Sequence, residues 1–577
     1  MEITFAVLLW AVRIAFLVLL YLFLVRAFSA LQRSLAAEQA VAARPAGIAF
    51  LVVQRSVRGA PRVGERMPLR AVNSIGRDAG NDVVLNDARA PPVRRRARGR
   101  PRRAQAGASM RSRGAAPRAA LHVGAVRGGS SGGGAPRTAG GGAPRTAGGG
   151  VPRRRTAELG LLVWVALLAL AGFAAVVGAE TSAFGPAVIV VPAIYLGLVL
   201  ALHVFLVLRR FRGDQLLFPL AAALTAIGLV LVQRLASDLL LQQLSWALIA
   251  GGAFVATILI PRDLTTLARF KWTWAFLGLV LLVAPLLPGI GREINGAKIW
   301  VKIGPGSIEP WEAVKLLLVI FFAGYLEEYR EVLAQAPRRI GRFPVPPIPY
   351  LLPIIAMWGM AMVVMVFEKD LGATLLFFGI FLAMLYLATG EAFYTLIGLA
   401  LLLGGGFVAY HAFPHVAARV DIWIRPFADE LRFGAGYQLV QGLFALGNGG
   451  LIGAGLGNGL PERIPVVWSD FVFDAFAEET GFLGAAALLA VYLLFVYRGM
   501  LIALRAPTTF LQLLAAGLSF IVALQTLVIV GGNARLIPLT GITLPFVAYG
   551  GSSLVTNWML VALLMRVSDA SARIRGT

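Results

Sequence analysis

The chain has 577 residues, of which 58% are Ala, Val, Ile, Leu, Met, Phe, Trp or Tyr and only 14% are charged, yet its net charge is +24. Soluble domains carry about 45–50% apolar residues even when glycine is counted, so an ordinary water-soluble enzyme is excluded. With no cysteine, so are disulfides, thiolate catalysis and cysteine-bound metals. Most of the charge sits in one place: residues 31–157 hold 25 arginines, no lysine and five acids, a net of +20. This is the composition of a polytopic membrane protein interrupted by one basic segment.

The apolar run over residues 1–31 is too long for a signal-peptide core and has no small-residue cleavage site, so it reads as a retained transmembrane anchor. Residues 48–87 read as short strands and turns. Within them, Ser74-Ile75-Gly76-Arg77 followed by Asn81-Asp82 resembles the first half of a forkhead-associated domain, a β-sandwich that binds phosphothreonine. The second half of that pattern, Ser-x-x-His and then Asn-Gly-Thr, does not follow. Residues 88–157 are instead rich in Arg, Ala, Gly and Pro, with GGGAPRTA at 132–139 repeated at 140–147. Such a tract cannot bury a core and is expected to be disordered. Two accounts of it stay open: a gene read out of frame after Asp87, or a natural basic linker that touches anionic headgroups.

Two accessory helices are expected over 158–210. Ten further apolar stretches lie within 215–566, near 215–234, 239–260, 272–289, 311–328, 349–367, 371–389, 393–413, 477–497, 508–530 and 543–566. Each approaches the roughly 20 residues of a spanning helix. Basic segments at 209–212, 262–271, 338–342 and 497–505 fall inside by the positive-inside rule. The segments 291–310, 368–370, 414–476 and 531–543 then face outward.

The outward segments carry the polar chemistry. Lys298 lies in Asn295-Gly296-Ala297-Lys298-Ile299-Trp300, ahead of Glu309-Pro310-Trp311-Glu312-Ala313-Val314-Lys315. Glu312 and Lys315 share one helix face, and an ion pair at a helix start would account for them without function. Asp370 follows Glu368-Lys369 in a tight turn, where helix capping is an equally plain role. The long loop holds Gly436-Tyr437-Gln438-Leu439, a run of glycines from 447 to 459, Pro461-Glu462-Arg463 and Ser469-Asp470-Phe471. Asp470, Asp474 and Glu478 recur every fourth residue, which puts three carboxylates on one side of a helix. On chemistry alone these could form a proton path, a cation site or a general base with helpers. Last come Arg535-Leu536-Ile537-Pro538-Leu539-Thr540-Gly541 and Ala548-Tyr549-Gly550-Gly551-Ser552-Ser553. A Pro-broken, Gly-Ser-rich segment at membrane depth must line a cavity or be buried by protein.

The run LIPLTGITLPFVAYGGSS, from Leu536 to Ser553, closely resembles the signature of the SEDS family, the RodA/FtsW-like proteins of shape, elongation, division and sporulation. Five earlier blocks agree in order: Gly296-Ala297-x-x-Trp300; Pro310-x-Glu312-x-x-Lys315; Asp370-Leu371-Gly372; Gly436-Tyr437-Gln438-Leu439 with its glycines; and Ser469-Asp470-Phe471 with Glu478-Glu479-x-Gly481. The resemblance covers about 216–566, and implies an all-α polytopic membrane protein with a ten-helix core plus about three extra N-terminal helices and the basic insert. It also implies a peptidoglycan glycosyltransferase that polymerises lipid II on the outer face of the cytoplasmic membrane, with a class B penicillin-binding protein as its crosslinking partner. No nucleic-acid partner is expected, and a role in elongation, division or sporulation is left open.

Under that resemblance Asp470 matches the essential outer-loop aspartate, the general base for the acceptor hydroxyl. Glu312 and Lys315 match the required pair at the helix start. Lys315, Lys298, Arg463 and Arg535 are candidates to clamp the leaving pyrophosphate, with Asp370, Gln438, Ser552 and Ser553 as further substrate contacts. No metal ligand set is expected, although a divalent cation stays open. There are departures. Glu309-Pro310-Trp311-Glu312 stands for the usual Gln-Pro-Ser-Glu and Glu368-Lys369-Asp370 for Gln-Pro-Asp. Asp474 stands where a small apolar residue is common, and Ile529 where an asparagine is. The rival reading is a transporter that flips lipid-linked precursors, to which broken helices also suit.

Overall fold

The computed structural model describes residues 2–42, 155–181, 187–260, 263–294, 297–303, 306–334 and 370–575, with short strands at 50–52, 66–68, 72–76, 83–84, 95–98, 338–340 and 343–345 and scattered positions over 352–368. The chain divides into two units, residues 1–31 with 151–576, and residues 32–150.

In the smaller unit, Phe50–Val52 (β1) pairs antiparallel with Arg66–Pro68 (β2). Val72–Gly76 (β3) pairs in parallel with Val83–Val84 (β4) and antiparallel with Arg95–Arg98 (β5). Strands form within 48–87, and beyond them Arg95–Arg98 lines up along β3 in the register Ser74↔Arg96. Backbone pairing uses the N–H and C=O groups of any residue, and an open strand edge is a template for it. Arg77, Asn81, Asp82 and the repeats at 132–154 lie outside the described residues.

The membrane unit is built from helices whose limits follow the apolar runs: α1 (Glu2–Ala42), α2 (Thr156–Thr181), α3 (Ala187–Leu208), α4 (Leu217–Leu235), α5 (Leu240–Leu259), a short α6 (Thr265–Arg269) and α7 (Lys271–Val283). After an outer strand segment come α8 (Pro310–Ala334), α9 (Leu371–Thr389), α10 (Ala392–Ala412), α11 (Pro414–Ile424), α12 (Asp429–Arg432), α13 (Tyr437–Gly449), α14 (Val472–Leu504), α15 (Thr509–Asn533) and α16 (Gly551–Arg575). Nine of these, among the described residues, are long and apolar enough to cross a membrane. The helix expected over 349–367 falls mainly outside the described residues. α15 sits at the centre and packs against α8, α9, α14 and α16, with Leu514, Ile521, Val522 and Ile529 fully buried.

In the 291–310 segment, Gly291–Ile294 (β6), Ala297–Ile303 (β7) and Gly306–Ile308 (β8) form an antiparallel meander. Lys298 and Lys302 alternate along β7 with Ile299, Val301 and Ile303, a period-two pattern that suits a half-buried strand. The helix expected over 543–566 begins only at Gly551. Residues ahead of it run irregularly, and their polar groups find partners elsewhere: Tyr492 donates its hydroxyl to Pro545 O at 2.5 Å, and Tyr549 N donates to Trp468 O at 2.9 Å. This is how broken backbone survives at membrane depth.

Candidate active site

Asp470 does not lie on α14. The helix starts at Val472, and Asp470 occupies the turn before it, so Asp474 and Glu478 share a helical face without it. Three segments surround its half-buried carboxyl. From α15, Asn533 Nδ2 donates to Asp470 O at 2.9 Å and to Asp474 Oδ2 at 2.7 Å. From α13, Gln438 Nε2 donates to Pro465 O at 2.8 Å and lies 3.5 Å from Asp470 Oδ1. From α11, Arg419 Nη1 donates to Leu539 O at 2.9 Å and Thr540 O at 3.0 Å. Gly541 closes the corner at φ 74°, and a methyl group there would lie 3.9 Å from Arg419 Nη1 and 4.0 Å from Asp470 Oδ2. Only glycine adopts that backbone easily, and it leaves the space above the carboxylate open. Burial pushes the Asp470 carboxyl up to about 6, with the Arg419 guanidinium pulling the other way. A carboxylate of that basicity is suited to take a proton from an alcohol near neutral pH.

Glu312 and Lys315 lie one turn into α8 and are fully buried. Lys315 Nζ is 2.5 Å from Glu312 Oε2, and donates to Gln525 Oε1 at 3.0 Å and Asn557 Oδ1 at 3.1 Å. An ammonium has three donors, and here all three are taken. Thr543 and Thr556 hydroxyls donate to Glu312 at 3.4 and 3.3 Å, and Ser553 Oγ joins the same cluster 3.1 Å from Thr543 Oγ1. The network ties α8 to α15, to α16 and to the irregular segment. In this structure the Lys315 charge is thus held by protein partners.

The other expected cations do not converge either. Lys298 is exposed on β7, 3.9 Å from Glu293. Arg463 is exposed in the turn at Pro461–Arg463. Arg535, itself at φ 58°, donates from Nε to Trp423 O at 2.8 Å and from Nη2 to Ile424 O at 2.7 Å. It lines an open groove of about 580 Å³ with Trp423, Ile424, Phe427, Leu443 and Ala534, beside Asn533. Asp370 caps α9, accepting from Ala373 N at 2.9 Å, so the plain capping role is present. Ser552 Oγ accepts from Glu309 N at 3.0 Å. An apolar cavity of about 270 Å³ lies between α7 and the 356–368 region, with Glu368 on its wall.

Arg419, Asn533, Gln525, Asn557 and Thr543 were not singled out in the sequence. For Gln525 and Asn557 a signal existed, because a polar residue inside an otherwise apolar helix is expensive unless it has a partner. Asn533 stands one turn beyond Ile529. Arg419 had no local signal, since its partners are backbone carbonyls 120 residues away. Among the described residues no group of three or more His, Asp or Glu is arranged to hold a metal ion.

Residues 214–573 match the family model for FtsW/RodA/SpoVE cell cycle proteins. The chain belongs to this family. The peptidoglycan glycosyltransferase RodA of Mycobacterium tuberculosis is 40% identical over 442 residues, which span 73% of this chain and 92% of that protein. A match of that length reaches N-terminal to residue 214, into the accessory helices. A probable peptidoglycan glycosyltransferase FtsW of Pseudomonas fluorescens is 34% identical over 375 residues, 62% of this chain and 88% of that one. Among solved structures, a chain from a peptidoglycan synthase complex that coordinates polymerization and crosslinking is 27% identical, with a TM-score of 0.51 over 63% of this chain and 98% of that chain.

Proposed function

We propose that this FtsW/RodA/SpoVE family member, a multi-pass membrane peptidoglycan glycosyltransferase, polymerises lipid II with Asp470 as general base. The reaction is a single inverting displacement. One lipid-linked disaccharide donates its sugar and releases undecaprenyl pyrophosphate, while the 4-hydroxyl of a second attacks and gives its proton to Asp470. A glycosidase needs a second carboxyl because it must protonate a poor leaving group. A pyrophosphate departs without protonation when cations neutralise it, so one base and a basic neighbour suffice. Arg419, beside Asp470 and Gly541, is placed for that role, while exposed Lys298 and Arg463 stand on outer segments. The groove lined by Trp423, Ile424, Phe427 and Leu443, beside Asn533, suits an isoprenoid chain. The site faces outward from the cytoplasmic membrane, a reading that the distribution of basic segments supports, and a class B penicillin-binding protein crosslinks the product.

The observation that carries this reading is the half-buried carboxyl of Asp470, raised to about 6 and held where α11, α13, α15 and the Gly541 segment meet. Purified protein given lipid II, with no other polymerase, is expected to make glycan chains. Asp470→Asn and Asp470→Ala are expected to lose about 100- to 10,000-fold in rate while remaining folded by size-exclusion chromatography. Wild-type-like synthesis by Asp470→Asn would overturn the assignment.

A further inference from the structure

Helix α1 lies outside the matched residues 214–573, yet it reaches the glycine-rich loop that leads to Asp470. Arg13 is buried and is the only charged residue between Ile3 and Val25 of this helix, a position that a charge holds only with good partners. Its Nε donates to Leu456 O at 2.8 Å and its Nη2 to Asn458 Oδ1 at 2.8 Å. Trp10 covers its guanidinium, with the ring centroid 5.3 Å away. Two turns further along, the Tyr21 hydroxyl donates to Leu483 O at 2.9 Å. The helix thus bridges the loop and a break in α14.

That break matters. Gly481 sits at φ 70° and ψ −172°, so residues 472–480 form a short helical segment whose direction the rest of α14 does not impose. The loop holds the segment instead. Ala454 N donates to Glu478 O at 3.0 Å and Gly455 N to Glu479 O at 2.8 Å. Gly457 N donates to Glu479 Oε2 at 3.0 Å, and Leu460 N to Glu478 Oε1 at 3.2 Å. On its other flank, Arg234 donates from Nε to Glu479 Oε1 at 2.8 Å and from Nη2 to Gly459 O at 3.0 Å. A glycine-rich loop has no stiffness of its own, so its shape comes from such contacts. Arg13 grips it midway, at Leu456 and Asn458, between the residues bound to the 472–480 segment.

We propose that Arg13 is a positioning residue for glycosyl transfer: by fixing Leu456 and Asn458 it sets the loop that orients the 472–480 segment, and with it Asp470 just ahead. The proposal rests on Asp470 being the base. An error of about 1 Å in a reacting group can cost on the order of 100-fold, so a remote grip has kinetic consequences.

The test uses full-length protein in lipid nanodiscs, with rates of lipid II polymerisation normalised to folded molecules. Arg13→Ala is expected to lower kcat by about tenfold or more, with a smaller change in KM. Arg13→Lys is expected to recover part of the loss, because an ammonium keeps the charge but cannot hold both acceptors in the same fork. Should Arg13→Ala not fold, Arg13→Lys and Asn458→Ala carry the test, each with a partial loss of kcat. Wild-type kcat per folded molecule in the folded variants, with only a lower thermal midpoint, would reduce Arg13 to a structural contact and overturn the proposal. Asp470→Asn run in parallel separates the two ideas. If it is inactive while the Arg13 variants match wild type, only the positioning role fails; if it polymerises normally, the base assignment fails first.

Discussion

The proposed chemistry turns on how two carboxyls are treated, one half-buried and one fully buried. Asp470 has Arg419 nearby and some access to solvent, and its affinity for protons rises to about 6. As the base must be ionised, the rate is expected to rise with pH through an acid limb centred near 6, falling about tenfold from pH 7 to pH 5. A flat profile over that range would count against Asp470. The same shift has a sign for stability. A carboxyl whose folded-state pKa is raised holds its proton more tightly folded than unfolded, so ionising it costs stability as pH climbs from about 4 through 6. Asp470→Asn should therefore be at least as stable as wild type at pH 7, by up to about 3 kcal/mol and less to the extent that water reaches the group. Glu312 is handled differently, by pairing it with Lys315 inside a saturated network. Breaking such a pair from one side leaves an unpaired buried charge at a cost of about 3–5 kcal/mol, whereas replacing both partners can be nearly neutral. Lys315→Met is expected to lower the thermal midpoint sharply, and Glu312→Gln with Lys315→Met to restore most of it. A midpoint unchanged in Lys315→Met, with donor use weakened, would return Lys315 to the phosphate-binding role.

At the level of elements, apolar runs announced the helices because a span must bury its backbone groups in its own hydrogen bonds, and that demand is local. α4, α5, α9, α10 and α15 fall within a few residues of their expected limits. The misreadings have one cause, which is that the partner lies far away in sequence. Apolar residues from 543 onward look helical, but Pro545 gives its carbonyl to Tyr492 and the helix waits until Gly551. The four-residue spacing of Asp470, Asp474 and Glu478 looked like one face, but the chain turns before Val472 and breaks again at Gly481. This second break is testable. A Cβ on Gly481 would lie 2.4 Å from Gly453 N and 2.5 Å from Leu451 O, on a backbone at φ 70°. Side chains are penalised by about 1–2 kcal/mol there even without a clash, and this clash is with backbone. Gly481→Ala is expected to destabilise the protein and cut polymerisation together, as thermal midpoint and rate would show. A fully active Gly481→Ala would mean that the loop and the 472–480 segment are not locked to each other.

For the whole molecule, the question is where the basic insert ends and the membrane unit begins. Composition places the boundary near 157, because arginine continues to that point. The structure moves it inward by showing that Arg155 is not linker. Arg155 is buried: its Nε donates to Glu158 Oε2 at 3.0 Å, its Nη1 to Phe211 O at 3.1 Å and Gly213 O at 3.3 Å, and its Nη2 to Asp214 O at 2.8 Å. Glu158 in turn meets His203 Nδ1 at 2.6 Å, and Asp214 pairs with Arg498. These contacts join α2, α3, the turn before α4 and α14 at the end of the bundle opposite Asp470. One arginine at the end of the basic tract thus belongs to the membrane fold where the chain re-enters it, a distinction that composition cannot make. Replacing residues 100–154 with a Gly/Ser linker of equal length keeps β5 and removes 11 of the 25 arginines, and such a linker behaves as flexible coil. Polymerisation and thermal midpoint are expected to stay at wild-type values. Arg155→Ala in the otherwise intact chain is expected to lower the midpoint, at a cost of up to about 3–5 kcal/mol for a buried pair broken from one side, because it leaves Glu158 with His203 alone and strands three backbone carbonyls. Equal stability of Arg155→Ala and wild type would put the boundary back at the start of α2. A large loss of activity on replacing 100–154 would show instead that the arginine tract itself, through the membrane surface or a partner, takes part in synthesis.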